Sequence, residues 1–296
     1  MENSELDRIQ NQLEKRGYVT DASIVMSVFL STTLHKPLLL EGPAGVGKTE
    51  VAKVMAAAMD TDLIRLQCYE GLDVNTALYE WNYQHQLLHI KLGEQSGKSV
   101  AQKETEIFGE AFLLKRPLLA AITHCRPPVL LIDELDRADE EFESFLLEIL
   151  SDWQVSIPEI GTISATHIPS VVVTSNRTRE LSDAVRRRCL YLWIEYPSLE
   201  KELAIVRSKV PGIDERLGTQ ICQFMRRLRE LKLGKSPGVA ETLDWAMALV
   251  ALHRTALDLE TIEETLGLVC KNRDDIAAIR LKFLPELVDA VTAEAG

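Results

Sequence analysis

No apolar run in this chain approaches the ~20 residues needed to cross a bilayer, so no membrane-spanning helix is expected. The first ten residues, "MENSELDRIQ", are polar and acidic, so no secretory leader is expected either. Cysteine pairing is also missing. The five cysteines (Cys68, Cys125, Cys189, Cys222 and Cys270) are scattered and odd in number, and no C-x-x-C occurs. That pattern argues against a disulfide framework or a zinc site and predicts a reducing, cytoplasmic location. Basic excess is lacking as well. Lys and Arg total 33 against 45 Asp and Glu, a net charge of −12. Non-specific nucleic-acid binding rests on a basic surface, so this balance argues against nucleic acid as a partner. There are no internal repeats.

What is present is ordinary for a soluble globular chain: 46% hydrophobic and 26% charged residues over 296 positions. That length suffices for a large core or two domains. The segments "PLLLE" (37–41), "DLIRLQC" (62–68), "PVLLID" (128–133), "PSVVVTSN" (169–176) and "LYLWI" (190–194) read as strands. Helical patterns separate them. Near-continuous apolar strands alternating with helices predict an α/β fold, a five-stranded parallel sheet covered on both faces. A helix is expected near 21–33, before the first strand. After Pro197 no convincing strand follows, and the remaining segments read as amphipathic helices broken at "PGID" and "GKSPG". Two domains are therefore expected, an α/β core over 1–196 and an all-helical domain over 197–296. The stretch "GEQSGKSVAQKETE" (93–106) reads as a polar loop.

The first chemical signal is "GPAGVGKTE", residues 42–50. Gly42, Gly47, Lys48 and Thr49 spell G-x-x-x-x-G-K-[ST]. A cradle for β- and γ-phosphates needs successive backbone N–H groups aimed at one anion, and glycines permit that approach. Pro43, Ala44, Gly45 and Val46 complete the loop. Lys48 supplies a point charge on the phosphates, and Thr49 offers a hydroxyl to Mg²⁺. From Glu50 the chain reads as a helix whose positive N-terminal end lies under the phosphates. The competing reading is a glycine-rich turn matching by chance. The strand before the loop and the helix after it favour ATP with Mg²⁺.

The second signal is "PVLLIDELDRAD", which ends an apolar strand on Asp133 and Glu134 about 85 residues later. Asp133 would hold Mg²⁺ through water, and Glu134 would polarise the attacking water. An acidic turn at a strand end is the competing reading. Phe142, Phe145, Leu146, Ile149 and Leu150 follow helical spacing and read as core. "VVVTSN" ends on Asn176, which could place an amide beside the γ-phosphate and water. A plain turn asparagine is the alternative. Arg186, Arg187 and Arg188 precede the last strand. Their competing reading is a solvated cluster at a helix C-terminus.

Together these stretches resemble the AAA+ ATPases, and within them the MoxR family, in a short branch associated with maturation of molybdenum hydroxylases such as carbon monoxide dehydrogenase. The resemblance spans the chain. It implies that Asn176 is sensor 1, that Arg188 (with Arg187 as runner-up) is an arginine finger acting in trans, and that 197–296 is the lid. A finger in trans implies a ring of identical subunits, commonly a hexamer. The resemblance further implies protein remodelling, with a von Willebrand A-domain partner and a metalloenzyme client. "WQVSIPEIGTISATHI" (153–168) alternates about a turn at Pro158–Gly161 and would be the pre-sensor-1 hairpin. Residues 71–92 would be the helix-2 insert near the ring axis, its Tyr79, Trp81 and Tyr83 either core or substrate-facing. One departure stands out. The family's Ser-Pro-Arg at the start of a lid helix is here Ser236-Pro237-Gly238, with Lys235 a weak substitute for the missing arginine. The alternatives are a P-loop small-molecule kinase and a nucleic-acid-acting AAA+ protein. A GTPase is disfavoured because no N-K-x-D occurs, and "NRDD" at Asn272 sits in a helical region.

Overall fold

The computed structural model describes residues 2–92, 99, 102, 106–231 and 233–283. The expected polar loop at 93–106 lies almost wholly outside the described residues. By contact the chain forms two units that do not follow the sequence in one cut. The first holds residues 1–9, 22–41 and 49–193, and the second holds 10–21, 42–48 and 194–296. The glycines of the 42–48 loop thus cluster with the C-terminal helices.

The first unit is built on nine strands among the described residues. In chain order they are β1 (Leu38–Glu41), β2 (Leu63–Gln67), β3 (Tyr79–Trp81), β4 (Leu113–Lys115), β5 (Val129–Asp133), β6 (Gln154–Ile157), β7 (Gly161–Ser164), β8 (Ser170–Ser175) and β9 (Leu190–Trp193). Five of them form the parallel sheet that the alternating strand and helix pattern predicts, in the order β2-β5-β8-β1-β9. The three inner strands are buried at almost every position. Ten of their fifteen residues are Val, Ile or Leu, as strands covered on both faces require. The edge strands β2 and β9 are only partly buried, and β2 admits Arg65 and Gln67. The register aligns Glu41 with Ser175 and with Trp193, and Gln67 with Asp133. The carboxyl ends of the strands therefore share one rim, where ligands bind in open α/β sheets.

The helices of this unit are α2 (Ala22–Leu34), α3 (Lys48–Ala58), α4 (Val74–Ala77), α5 (Tyr83–Leu92), α6 (Pro117–Ile122), α7 (Glu140–Asp152) and α8 (Asp183–Arg188). A further helix, α1 (Glu2–Lys15), opens the chain, and its polar composition hides it from the apolar pattern. Asp139 starts α7 by accepting from the Phe142 N–H at 2.8 Å. Phe142, Leu146, Ile149 and Leu150 on α7 are buried in the sheet's core, and Phe145 packs against it. β6 and β7 pair antiparallel as a hairpin after α7. The 71–92 segment contains an unforeseen strand, β3, which pairs with β4. Its three aromatics divide: Trp81 is core, Tyr79 packs against the core, and Tyr83 is exposed.

The second unit is helical: α9 (Leu199–Lys209), α10 (Glu215–Glu230), α11 (Val239–Ala251), α12 (Leu259–Val269) and α13 (Arg273–Ala278). Asp214, Asp258 and Asn272 cap α10, α12 and α13. Phe224 and Trp245 centre its core with their rings 5.2 Å apart. Burying side chains of that size stabilises a fold by about 1.5–3 kcal/mol each. Arg229 is buried here and forks onto Glu202, with both N–H···O distances 2.7 Å. Its Nε donates to the Pro237 carbonyl at 2.8 Å and its guanidinium stacks on Tyr196.

Candidate functional site

The glycine-rich loop, residues 42–48, lies in the second unit. Gly42 meets the backbone of Ile194 so closely that a Cβ would fall 2.1 Å from the Ile194 carbonyl oxygen. Gly45 has φ +77°, a left-handed conformation that a side chain would strain. Lys48 is buried, and its ammonium donates to the carbonyls of Gly42 at 2.8 Å and Pro43 at 2.6 Å. The lysine is thus folded inward over its own loop. Glu50 pairs with Lys53 one turn along α3.

Gly238 explains the departure from Ser-Pro-Arg. It is the residue before α11, packed against the loop, where its Cβ would lie 2.7 Å from the Gly45 Cα. The next residue, Val239, donates its N–H to the Gly45 carbonyl at 2.9 Å. Glu241 accepts from the Gly238 N–H at 2.8 Å. The start of α11 meets the glycine-rich loop backbone to backbone, leaving no room there for a side chain. Lys235 is exposed, with its backbone N–H held by Asp275.

The first unit carries the acids. Asp133 is buried at the end of β5 and accepts from several donors: Thr49 Oγ1 at 3.0 Å, Thr174 Oγ1 at 2.6 Å, and Arg65 through Nε at 3.0 Å and Nη2 at 2.6 Å. Glu134 follows in a left-handed conformation, φ 56° and ψ 49°, uncommon for a side-chain-bearing residue. This turn aims its carboxylate back along the rim. The carboxylate accepts from Gln67 Nε2 at 3.0 Å, Asn176 Nδ2 at 3.2 Å and Arg137 Nη1 at 3.2 Å. Asp136 is buried and accepts from the N–H groups of Asn176 (3.1 Å) and Thr178 (2.8 Å) and from the Thr178 hydroxyl (2.7 Å). It staples the turn of Asn176 to the turn of Glu134. The Cys68 thiol records the negative field, pushed up to about 12 first by burial and then by Asp133, Asp136 and Glu134.

Within this unit the structure therefore brings together Thr49, Asp133, Glu134 and Asn176. It does not bring Arg188 to them. That guanidinium is exposed and donates to Ser151 Oγ at 3.0 Å and to the Ala184 carbonyl at 3.3 Å. Arg187 is exposed on the same short helix. Arg65, Gln67, Thr174 and Asp136 escape sequence reasoning. The only signal is the pair of polar residues at alternate positions of β2, which marks one side of a strand without saying what faces it.

The oxygen donors Thr49 and Asp133, 3.0 Å apart, form the kind of hard-ligand pair that suits magnesium. Among the described residues no helix is long and apolar enough to cross a membrane, and no cluster of His, Cys, Asp and Glu could hold a metal by itself.

A family model described as an AAA domain of the dynein-related subfamily matches residues 37–189, more than half of the chain. An uncharacterised protein of Staphylococcus haemolyticus is 24% identical over 246 residues, covering 80% of this chain and 85% of its own length. A second, from Staphylococcus aureus, is 25% identical over 205 residues and covers 67% of this chain and 70% of itself. Among solved structures, a RuvB variant from Thermotoga maritima superposes with a TM-score of 0.51 at 17% identity, covering 98% of this chain and 83% of that one. Another variant of the same protein gives 0.51 at 18% identity, covering 97% and 83%. At such identity the likeness is one of fold. With its strand order, its helical C-terminal part and the matched stretch, this chain belongs to the AAA domain family, dynein-related subfamily.

Proposed function

We propose that this chain hydrolyses ATP in a ring of its own copies and uses the turnover to remodel another protein, as a MoxR-type ATPase. The observation that supports it most is the 3.2 Å contact between the Asn176 amide and the Glu134 carboxylate. A strand-end acid beside a neighbouring strand's amide can orient a water and take its proton as that oxygen attacks the γ-phosphorus. To do so Glu134 has to release one of the donors it now accepts from. The loop with Lys48 is the phosphate cradle, and Thr49 with Asp133 is the magnesium pair. A magnesium ion there would neutralise charge developing on the β- and γ-phosphates. A small-molecule kinase would use the loop but leaves the Glu134–Asn176 pair without a task. The net charge of −12 argues against a nucleic-acid substrate. The resemblance supports a metalloenzyme client with a von Willebrand A-domain partner. Capture of such proteins by the Glu134→Gln chain tests that finer reading.

The exposed position of Arg188 supports a finger that serves a neighbouring copy. The experiment is an ATPase titration of Lys48→Ala chains into Arg188→Ala chains under confirmed subunit exchange. Each variant alone should be inactive, about 10³-fold below wild type. Mixtures should recover activity, because some interfaces join an intact site to an intact finger. No recovery defeats the ring reading. If Arg187→Ala is the inactive variant instead, the finger moves by one residue.

A further inference from the structure

Glu41, the last residue of β1, is a buried acid that the proposed chemistry does not use. It is 0% exposed. A lone carboxylate at such a depth is too costly to keep, so its partners show what it holds. Arg186 Nη2 donates to both of its oxygens, at 3.0 and 3.2 Å. Arg177 brings Nε to 4.0 Å. Arg177 itself is left-handed, with φ 56°, and its guanidinium lies 5.8 Å from the centre of the Trp193 ring. The register explains the convergence, since Glu41 pairs with Ser175 on one side and Trp193 on the other. The carboxylate thus grips the residue after Asn176 and the residue before Arg187 and Arg188. Its charge reaches Tyr191, whose phenol is raised above its ordinary value by partial burial first and by Glu41 next.

Helix α8 needs such a grip. It has six residues, and Val185 is its only buried side chain. A helix that short has little stability of its own. Ser182 caps it at one end, and the Arg186–Glu41 pair fixes it to the sheet.

We propose that Glu41 is a positioning residue: it sets the angle of α8, and so the direction of Arg187 and Arg188, relative to the Asn176 turn. This rests on the reading in which one of those arginines completes a neighbouring copy's site. Glu41→Gln keeps the size but loses the charge, and frees the partly exposed Arg186 to turn to water.

The test uses the full chain carrying Glu41→Gln or Arg186→Gln, with thermal melts to establish folding. Arg186→Gln covers the case in which Glu41→Gln does not fold, because Arg186 is partly exposed. We expect kcat at saturating ATP to fall at least tenfold while the Kd of a fluorescent ATP analogue stays within threefold of wild type. In the background of whichever of Arg187→Ala and Arg188→Ala is inactive, neither change should lower kcat by more than a further twofold. The proposal is overturned if the folded variants keep kcat within twofold, if the loss lies in Kd, or if it multiplies with that inactive arginine variant. An inactive Arg188→Ala beside an active Glu41→Gln removes this proposal alone. Full activity in both Arg187→Ala and Arg188→Ala removes the finger reading, and this proposal with it.

Discussion

Gly45 and Gly238 pack backbone against backbone, and the residue after Gly238 donates its N–H to the Gly45 carbonyl at 2.9 Å. Neither position has room for a side chain. Gly238→Ala places a methyl against main chain that cannot yield cheaply. We expect a cost of about 1–3 kcal/mol from overpacking and at least a tenfold loss of ATP affinity, because the cradle itself is displaced. Gly238→Arg, which restores the family's residue, should be worse than alanine. Melting curves and ATP titrations measure both. An arginine variant with tighter ATP binding would show that the contact is incidental.

A magnesium ion held at Asp133, as proposed, would compete with Arg65 for the charge of that carboxylate. The guanidinium donates twice to one carboxylate oxygen while remaining half exposed. Removing it should lower the magnesium concentration that gives half-maximal ATP hydrolysis by about three- to tenfold, the scale of a screened charge interaction. Arg65→Lys should stay close to wild type. An Arg65→Ala profile superimposed on that of wild type would separate the arginine from the metal.

Glu134→Gln should bind ATP within a few-fold of wild type and lose roughly 10²–10⁴ in kcat, the range of a positioned base. The amide keeps the size of the side chain and an oxygen acceptor for Asn176, but cannot take a proton. Single-turnover hydrolysis and nucleotide titration separate the two effects. Near-normal turnover would move the base elsewhere.

The thiols predict a simple labelling experiment. Burial, the largest cause in each case, raises Cys68, Cys189 and Cys222 to about 12 and Cys270 to about 11. At pH 8 these groups are almost wholly protonated, and the thiolate is the reactive form. Cys125 is exposed. A thiol reagent at pH 8 should label Cys125 quickly, the half-buried Cys189 far more slowly, and Cys68, Cys222 and Cys270 only on unfolding. Two thiols reacting at similar rates in the folded chain would contradict the burial.

Strands β1, β5 and β8 are legible in the sequence because they are covered on both faces, which demands unbroken apolar runs. Asp133, Glu134 and Asn176 are legible because each follows its run directly along the chain. Arg65 and Gln67 are different. They act on residues more than sixty positions away, through a strand pairing that local pattern does not encode. The strands β3 and β4 have three residues each, too few for alternation to register. Gly238 looks like a lost arginine until the loop against it is seen. The sequence also cannot say that residues 42–48 keep company with the C-terminal helices.

Asp136 has a consequence for how this site can change. It binds the main chain of Asn176 and Thr178, not their identities, apart from one hydroxyl. The mount is therefore separate from the tool it carries. The amide at 176 can be exchanged without unseating the turn, so variation there retunes chemistry and leaves architecture alone. Variation at 136 does the reverse, loosening a bracket that two strands share.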